Sequence, residues 1–183
     1  PILIYNMPAN AANLDLSADL ILELAQHPNI VGVKDSSGQV WKLGRIAAEA
    51  QSDFAVLAGS GSYLIPTLSV GGTGAIAAVA NIIPDLVTLT YDLWQRRYHA
   101  ATVAEAQERE DAARRLQALI TPLNQFVTAT HGVAGLKAAL QHVRGYGGAP
   151  RPPLLALPAG VAAQVPLLYD RLRLSAAAIE AMA

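Results

Sequence analysis

Side-chain amine chemistry has three candidate residues in this 183-residue sequence, Lys34, Lys42 and Lys137. Lys34 stands out because it directly follows the apolar run at residues 30–33, which would hold its stem in apolar surroundings. Desolvation favours the neutral form of an amine, and that form attacks carbonyl carbons. On pattern alone a simpler interpretation stays open, in which Lys34 merely extends from the end of a strand into solvent.

Tyr5 is a second candidate, because it lies near the end of another apolar run at residues 2–6. Its phenol could carry protons to and from a carbinolamine formed on a nearby lysine. The structural alternative is a packed ring with a hydrogen-bonded hydroxyl. Parallel α/β folds bind ligands outside the carboxyl ends of their strands. If the two runs are adjacent parallel strands, we expect Tyr5 and Lys34 to point into one pocket.

The glycine-rich loops and the histidines are weaker signals. Gly59-Ser60-Gly61 could present backbone amides and hydroxyls to an anionic group, but it lacks the full spacing and acidic partner of a dinucleotide site. The loop at residues 71–74 enters a predicted strand and has no Gly-Lys-Ser/Thr after it, which excludes a P-loop. The four histidines do not pair with carboxylates at metal-ligand spacing, which disfavours a metal-dependent enzyme.

Composition narrows the classes of partner. The chain has 52% hydrophobic residues, a net charge of -1 and no cysteine. Disulfides, thiolate metal sites and a cysteine nucleophile are excluded, and the charge gives no reason to expect nucleic acid or anionic lipid. No uninterrupted apolar stretch or basic leader indicates a membrane or secretory segment. We therefore expect a small-molecule partner and a cytoplasmic location, or a mitochondrial one if the source is eukaryotic.

Short apolar runs alternate with helical patterns over the first 80 residues, which predicts an α/β fold with a parallel sheet. A helix capped by Ser17 should run to about residue 26. Sequence pattern alone fits half of an eight-stranded barrel or a small open sheet. The predicted strands are 2–6, 30–34, 54–58 and 74–79; the further helices are 41–50 and 63–70, then an all-helical region with 84–99, 101–126, 133–142 and a last helix after the Pro-rich stretch 149–153.

Three stretches resemble the dihydrodipicolinate synthase and N-acetylneuraminate lyase family. They are Ile4-Tyr5-Asn6-Met7-Pro8, residues 27–35 from His27 to Asp35, and residues 71–76 together with Asn81 and Pro84. The resemblance runs to about residue 170 and implies a class I aldolase on a (β/α)8 barrel. It implies that Lys34 forms an imine with pyruvate or another 2-oxo acid, that Tyr5 shuttles protons, and that no cofactor is required.

The resemblance also implies how the chain is organised. The four strands would be strands five to eight of the barrel, so that residues 1–83 form its second half and residues 84–183 its last helix and a helical C-terminal region. We expect a single structural domain whose N-terminal half lies outside this sequence. The family further suggests a homo-oligomer, either a dimer or a tetramer.

The expected substrate rests on finer resemblance. Synthases that act on aspartate semialdehyde carry an arginine where this sequence has Asn10, and several stretches look more like 4-hydroxy-2-oxoglutarate aldolases, which release pyruvate and glyoxylate. Ser36 would then donate to a substrate carboxylate. Alternatives are 4-hydroxy-tetrahydrodipicolinate synthase, a 2-keto-3-deoxy sugar acid aldolase, or an inactive barrel fragment with a structural or binding role. The expected substrate contacts are Ser36, Asn10, Gly59, Gly74 and Ile76.

Overall fold

A computed structural model describes residues 1–181, which form two compact units divided between Ala77 and Ala78. The first unit is a four-stranded parallel sheet in the order β1-β2-β3-β4. Helices follow the first three strands, so the predicted parallel α/β class is confirmed. The elements are β1 Ile2–Asn6, α1 Ala18–Leu24, β2 Ile30–Asp35, α2 Val40–Glu49, β3 Ala55–Ala58, α3 Leu64–Ser69 and β4 Gly74–Ala75.

The fourth strand is much shorter than predicted. The sequence predicts a strand over residues 74–79, but β4 ends at Ala75 and a 3-10 helix occupies Ala78–Asn81. The reason lies in its neighbour, because β3 ends at Ala58 and a 3-10 helix follows at Gly61–Tyr63. The amide of Ile76 still donates to the Ala58 carbonyl at 2.9 Å. Beyond that bond β3 has ended, so the rest of the apolar run has no strand to pair with and does not extend β4.

The core of this unit lies between the sheet and its helices. Val33 and Val56 are register partners on β2 and β3, and both are almost fully buried. Leu43 and Ile46 of α2 are completely buried in the same cluster, at the three-residue spacing that places side chains on one helix face. Alternate residues of a strand point to opposite faces. Residues in phase with Val33 therefore face the helices, and Lys34 faces the other side of the sheet.

The start of α1 follows local sequence chemistry. The Ser17 side chain accepts a hydrogen bond from the Leu20 amide at 3.2 Å, which satisfies one of the unpaired N–H groups at the start of a helix. The predicted cap is therefore confirmed. The helix ends at Leu24, close to the predicted end.

The second unit is helical, as predicted for the C-terminal region. Its buried side chains include Trp94, Leu116, Ile120 and Leu172. A π-helical turn at Phe126–Thr130 separates two of its helices. Among the described residues, no helix has the length and apolar character needed to cross a membrane. The helices are α4 Pro84–Arg96, α5 Val103–Gln125, α6 Gly132–Arg144, α7 Ala159–Ala162 and α8 Gln164–Glu180.

Candidate active site

Tyr5 and Lys34 meet at the carboxyl ends of β1 and β2. They are register partners in the parallel pair, and both belong to the face of the sheet opposite the helices. The Lys34 Nζ lies 4.2 Å from the centroid of the Tyr5 ring. At this distance the Lys34 amine packs against the face of the aromatic ring. The structure therefore brings together the two residues for which the sequence predicts chemistry.

Both side chains are accessible to a small molecule. Tyr5 is 55% exposed, and Lys34 is half-buried. Within residues 1–181, no carboxylate lies within ion-pair distance of the Lys34 amine. Lys42, by contrast, is 2% exposed and pairs with Asp15 and Asp35 at 2.6 and 3.0 Å. Lys34 is thus available for chemistry in a way that Lys42 is not.

Ser36 and Gly59 lie against each other just beyond β2 and β3. The Ser36 amide donates to the Asn6 carbonyl at 2.8 Å, and the Gly59 amide donates to the Asp35 carbonyl at 2.7 Å. A Cβ on Gly59 would overlap the Ser36 Oγ and would lie 2.7 Å from the Asp35 carbonyl oxygen. The close approach of these two loops therefore requires glycine at position 59.

Replacing Gly59 with alanine should lower the free energy of unfolding by about 1–3 kcal/mol, because the new methyl group forces the strand ends apart. Gly160 is a matched control, since a Cβ there meets nothing within 4 Å. Urea unfolding of Gly59→Ala and Gly160→Ala checks the expectation. Equal unfolding midpoints for the two variants would contradict the proposed close contact.

The remaining predicted substrate contacts are less closely grouped. Gly74 is buried and pairs with Leu57, whose other register partner is Lys34, so Gly74 belongs to the same row of the sheet as the reactive pair. Ile76 is 46% exposed and follows the end of β4. Asn10 lies in an exposed one-turn 3-10 helix after β1, where its amide donates to the Met7 carbonyl at 3.1 Å. The structure shows no contact that joins Asn10 to Lys34.

A buried polar network behind the strands was not predicted. Asn6 and Asp35, which follow Tyr5 and Lys34, are register partners and are at most 1% exposed. Strand alternation could have placed both of them facing the helices. Lys42 is four residues before the buried Ile46, so helical periodicity could have placed it on the same buried face. The Lys42 ammonium, together with the Asn6 amide, holds the pKa of Asp15 below its usual value.

Tyr63 ties this region to the 3-10 helix after β3. Its hydroxyl donates to the Asp35 carbonyl at 2.9 Å. Burial, reinforced by the charge of Asp35, raises the pKa of Tyr63 to about 12. The neutral phenol is therefore the form that the folded chain favours.

Folding stability should fall between pH 10 and pH 12 partly because of Tyr63. Its pKa is 10.0 without the fold and about 12 within it, so its contribution is complete below pH 10 and is lost as pH rises through 12. Tyr63→Phe should reduce this loss by on the order of 2 kcal/mol. Urea unfolding of the parent and the variant at both ends of the range measures it. Identical pH slopes would show that Tyr63 does not carry the effect.

No group of three or more His, Asp or Glu side chains that could hold a metal ion occurs in the part of the chain that the structure describes. The reactive pair, the loops around Ser36 and Gly59, and the buried network all belong to the first unit. An accessible amine beside a phenol can form and protonate a carbinolamine. This arrangement suits covalent chemistry on a carbonyl compound.

Residues 1–165 match the dihydrodipicolinate synthetase family. A protein of Emericella nidulans named "Probable 4-hydroxy-2-oxoglutarate aldolase, mitochondrial" is 42% identical over 156 residues, which cover 85% of this chain and 47% of that protein. An Aspergillus niger protein named L-threo-3-deoxy-hexylosonate aldolase is 31% identical over 182 residues, with 87% and 51% covered.

The solved structure of the 4-hydroxy-tetrahydrodipicolinate synthase from Methylacidiphilum fumariolicum superposes with a TM-score of 0.83 at 26% identity. The match covers 98% of this chain and 56% of that one. This chain therefore spans about half the length of the relatives that it matches.

Proposed function

Because the chain belongs to the dihydrodipicolinate synthetase family, we propose that it carries the Schiff-base site of a class I aldolase acting on 2-oxo acids. The observation that carries the proposal is the contact between Lys34 and Tyr5, whose amine and ring lie 4.2 Å apart at the carboxyl ends of adjacent strands. Lys34 is the nucleophile in this proposal, and Tyr5 transfers protons.

Lys34 is the best nucleophile among the three lysines. Lys42 is held as a buried cation by two aspartates, and a protonated amine has no lone pair for attack. Lys137 lies on α6 of the second unit. Only Lys34 combines partial access with an aromatic hydroxyl-bearing neighbour in the first unit.

The chemistry begins when the neutral Lys34 amine attacks the ketone carbon of the 2-oxo acid. The resulting carbinolamine loses its hydroxyl as water after protonation, and an iminium ion remains. Loss of the proton from the hydroxyl group on the fourth carbon then breaks the bond between the third and fourth carbons, and the fourth carbon leaves as an aldehyde. The positive nitrogen accepts the electron pair of that bond, and an enamine remains. Protonation of the enamine and attack by water then release pyruvate and regenerate the amine.

In this proposal Tyr5 carries the protons that these steps need. Carbinolamine formation, loss of water and cleavage of a 4-hydroxy acid each move a proton at an oxygen or nitrogen close to the Lys34 amine. A phenol on the neighbouring strand can donate and accept in turn without leaving its position. No cofactor takes part in the proposed sequence.

The leading substrate is 4-hydroxy-2-oxoglutarate, cleaved to pyruvate and glyoxylate. The relative from Emericella nidulans bears the name of such an aldolase, and Asn10 stands where the family resemblance implies an arginine in synthases. Ser36 can supply a neutral hydroxyl donor for the distal carboxylate. Gly59, Gly74 and Ile76 would contribute backbone groups beside it.

The other substrates remain specific alternatives. The Aspergillus niger relative is named for a deoxy sugar acid, and the Methylacidiphilum fumariolicum structure is that of a synthase. A homo-oligomer, either dimer or tetramer, is part of the proposal. The cytoplasmic location stays a prediction, and the name of the Emericella nidulans relative places that protein in mitochondria.

Substrate profiling on protein expressed from its complete reading frame tests the choice. The release of pyruvate is measured by coupling it to reduction of the pyruvate, with 4-hydroxy-2-oxoglutarate and with 2-keto-3-deoxy sugar acids as substrates. Condensation of pyruvate with aspartate semialdehyde is measured separately. We expect kcat/KM for 4-hydroxy-2-oxoglutarate to exceed the others by about tenfold or more. A higher kcat/KM for either competing substrate would overturn the choice of 4-hydroxy-2-oxoglutarate. It would leave the proposed Schiff-base chemistry in place.

A further inference from the structure

A buried lysine and two carboxylates lie directly behind the proposed reactive pair. Lys42 of α2 is 2% exposed, and its Nζ lies 2.6 Å from Asp15 Oδ1 and 3.0 Å from Asp35 Oδ2. Asp35 is completely buried, whereas the Asp15 side chain is 34% exposed. The Lys42 ammonium therefore pairs with two carboxylates, one inside the fold and one at its surface.

Asn6 joins the two carboxylates to each other. Its Nδ2 donates to Asp15 Oδ1 at 2.7 Å and to Asp35 Oδ2 at 2.6 Å, while its Oδ1 accepts from the Leu16 amide at 3.0 Å. The second oxygen of Asp35 accepts from the amide and the hydroxyl of Ser37, at 2.9 and 2.6 Å. Every polar atom of the Asn6 side chain and both Asp35 oxygens are therefore occupied.

The network is attached to the residues that follow the reactive pair. Asn6 follows Tyr5, Asp35 follows Lys34, and the two pairs are consecutive in register. Because side chains alternate across a sheet, Asn6 and Asp35 face the helices while Tyr5 and Lys34 face the other way. A clamp on Asn6 and Asp35 consequently fixes the backbone that carries both reactive side chains.

The stability of the fold alone does not explain why this network of buried charged and polar side chains is present. Removing charges from water costs free energy, and well-packed apolar side chains in the place of a buried ion pair are often neutral or stabilising. The distinct property of a fully bonded network is that it fixes geometry, which a reactive site needs to within a fraction of an ångström.

We propose that Lys42, acting through Asp35 and Asn6, is a positioning residue that holds Lys34 and Tyr5 in their reactive arrangement. The proposal rests on the proposed Schiff-base function. Lys42 touches neither the substrate nor the reacting atoms in it. Its effect reaches the chemistry through the ends of β1 and β2.

The test uses the double variant Lys42→Met/Asp35→Asn in protein expressed from its complete reading frame. Methionine fills most of the lysine volume, and asparagine removes the anion that Lys42 would leave unpaired. We expect kcat to fall roughly 10- to 100-fold, as it does when the hydrogen-bond partners that orient metal-binding side chains are removed, with KM little changed. The rate of borohydride-trapped imine formation with pyruvate should fall by the same factor.

Arg45→Met is the matched control on the same helix. Arg45 pairs with Asp19 and Glu49, at 2.6 and 2.9 Å, and its side chain is 42% exposed. Its replacement removes two ion pairs outside the network, so kcat and the trapping rate should stay at the parent values. A loss equal to that of the double variant would show that any change on α2 lowers activity, and would overturn the proposal.

Asp15→Asn provides a second variant at the exposed end of the network. It tests the positioning role if the double variant does not fold. It should lower kcat and the trapping rate in the same direction, by a smaller factor, with an unchanged circular dichroism spectrum. Parent values of kcat and trapping rate in the folded variants would overturn the positioning role. Absence of any trapped adduct in the parent would instead refute the proposed function.

Discussion

Replacing Lys34 with alanine should lower kcat/KM for 4-hydroxy-2-oxoglutarate by roughly 10^4-fold or more, because no other group can form the imine. Lys42 cannot substitute for it, since two aspartates hold its buried ammonium. Steady-state kinetics on the variant and the parent measure the loss. The fold should persist, because Lys34 is only half-buried and faces away from the core formed with the helices.

Lys137→Arg is the control for this experiment. Lys137 lies on α6, outside the unit that carries the candidate site, so its replacement should leave kcat/KM unchanged. Appreciable aldolase activity in a correctly folded Lys34→Ala protein would remove Lys34 from the mechanism.

Replacing Tyr5 with phenylalanine should lower kcat by about 10²- to 10⁴-fold, the usual contribution of a positioned proton donor and acceptor. The ring that packs on the Lys34 amine remains in this variant, and only the hydroxyl is lost. Pyruvate should still be trapped on Lys34 at full stoichiometry but more slowly. Single-turnover trapping and steady-state kinetics together separate these two effects.

Tyr98→Phe is a suitable comparison. Tyr98 is 68% exposed and accepts a hydrogen bond from Arg97 in the second unit, at 2.6 Å. Its loss should not change the rate of aldol cleavage. Unchanged kcat in Tyr5→Phe would assign proton transfer to another group.

The first three strands could be predicted because each is a nearly continuous apolar run that is buried in a parallel sheet. Tyr5 and Lys34 lie at the carboxyl ends of β1 and β2. Their contact could be expected once these two strands were interpreted as adjacent in the sheet. The length of β4 could not be predicted in this way. It depends on where β3 ends, which a local apolar run does not reveal.

The network around Lys42 was missed for a different reason. Helical periodicity places Lys42 on the face of Ile46, but a lysine on an amphipathic helix ordinarily carries its charge to solvent, so periodicity does not predict that the ammonium is buried. Its burial depends on Asp35 and on Asp15, which is 27 residues away in the sequence. The predicted contact of Asn10 with substrate stays a prediction, because it depends on a ligand as well as on the fold.

Trapping with borohydride in the presence of pyruvate reports whether Lys34 forms an imine. Hydride reduction would convert an imine into a stable secondary amine, and the modified lysine would resist trypsin. We expect a carboxyethyl group on Lys34, a missed tryptic cleavage at that residue, and no adduct in Lys34→Ala. A folded, full-length protein that gains no adduct, or gains it on Lys42 or Lys137, would show that Lys34 is not a Schiff-base lysine.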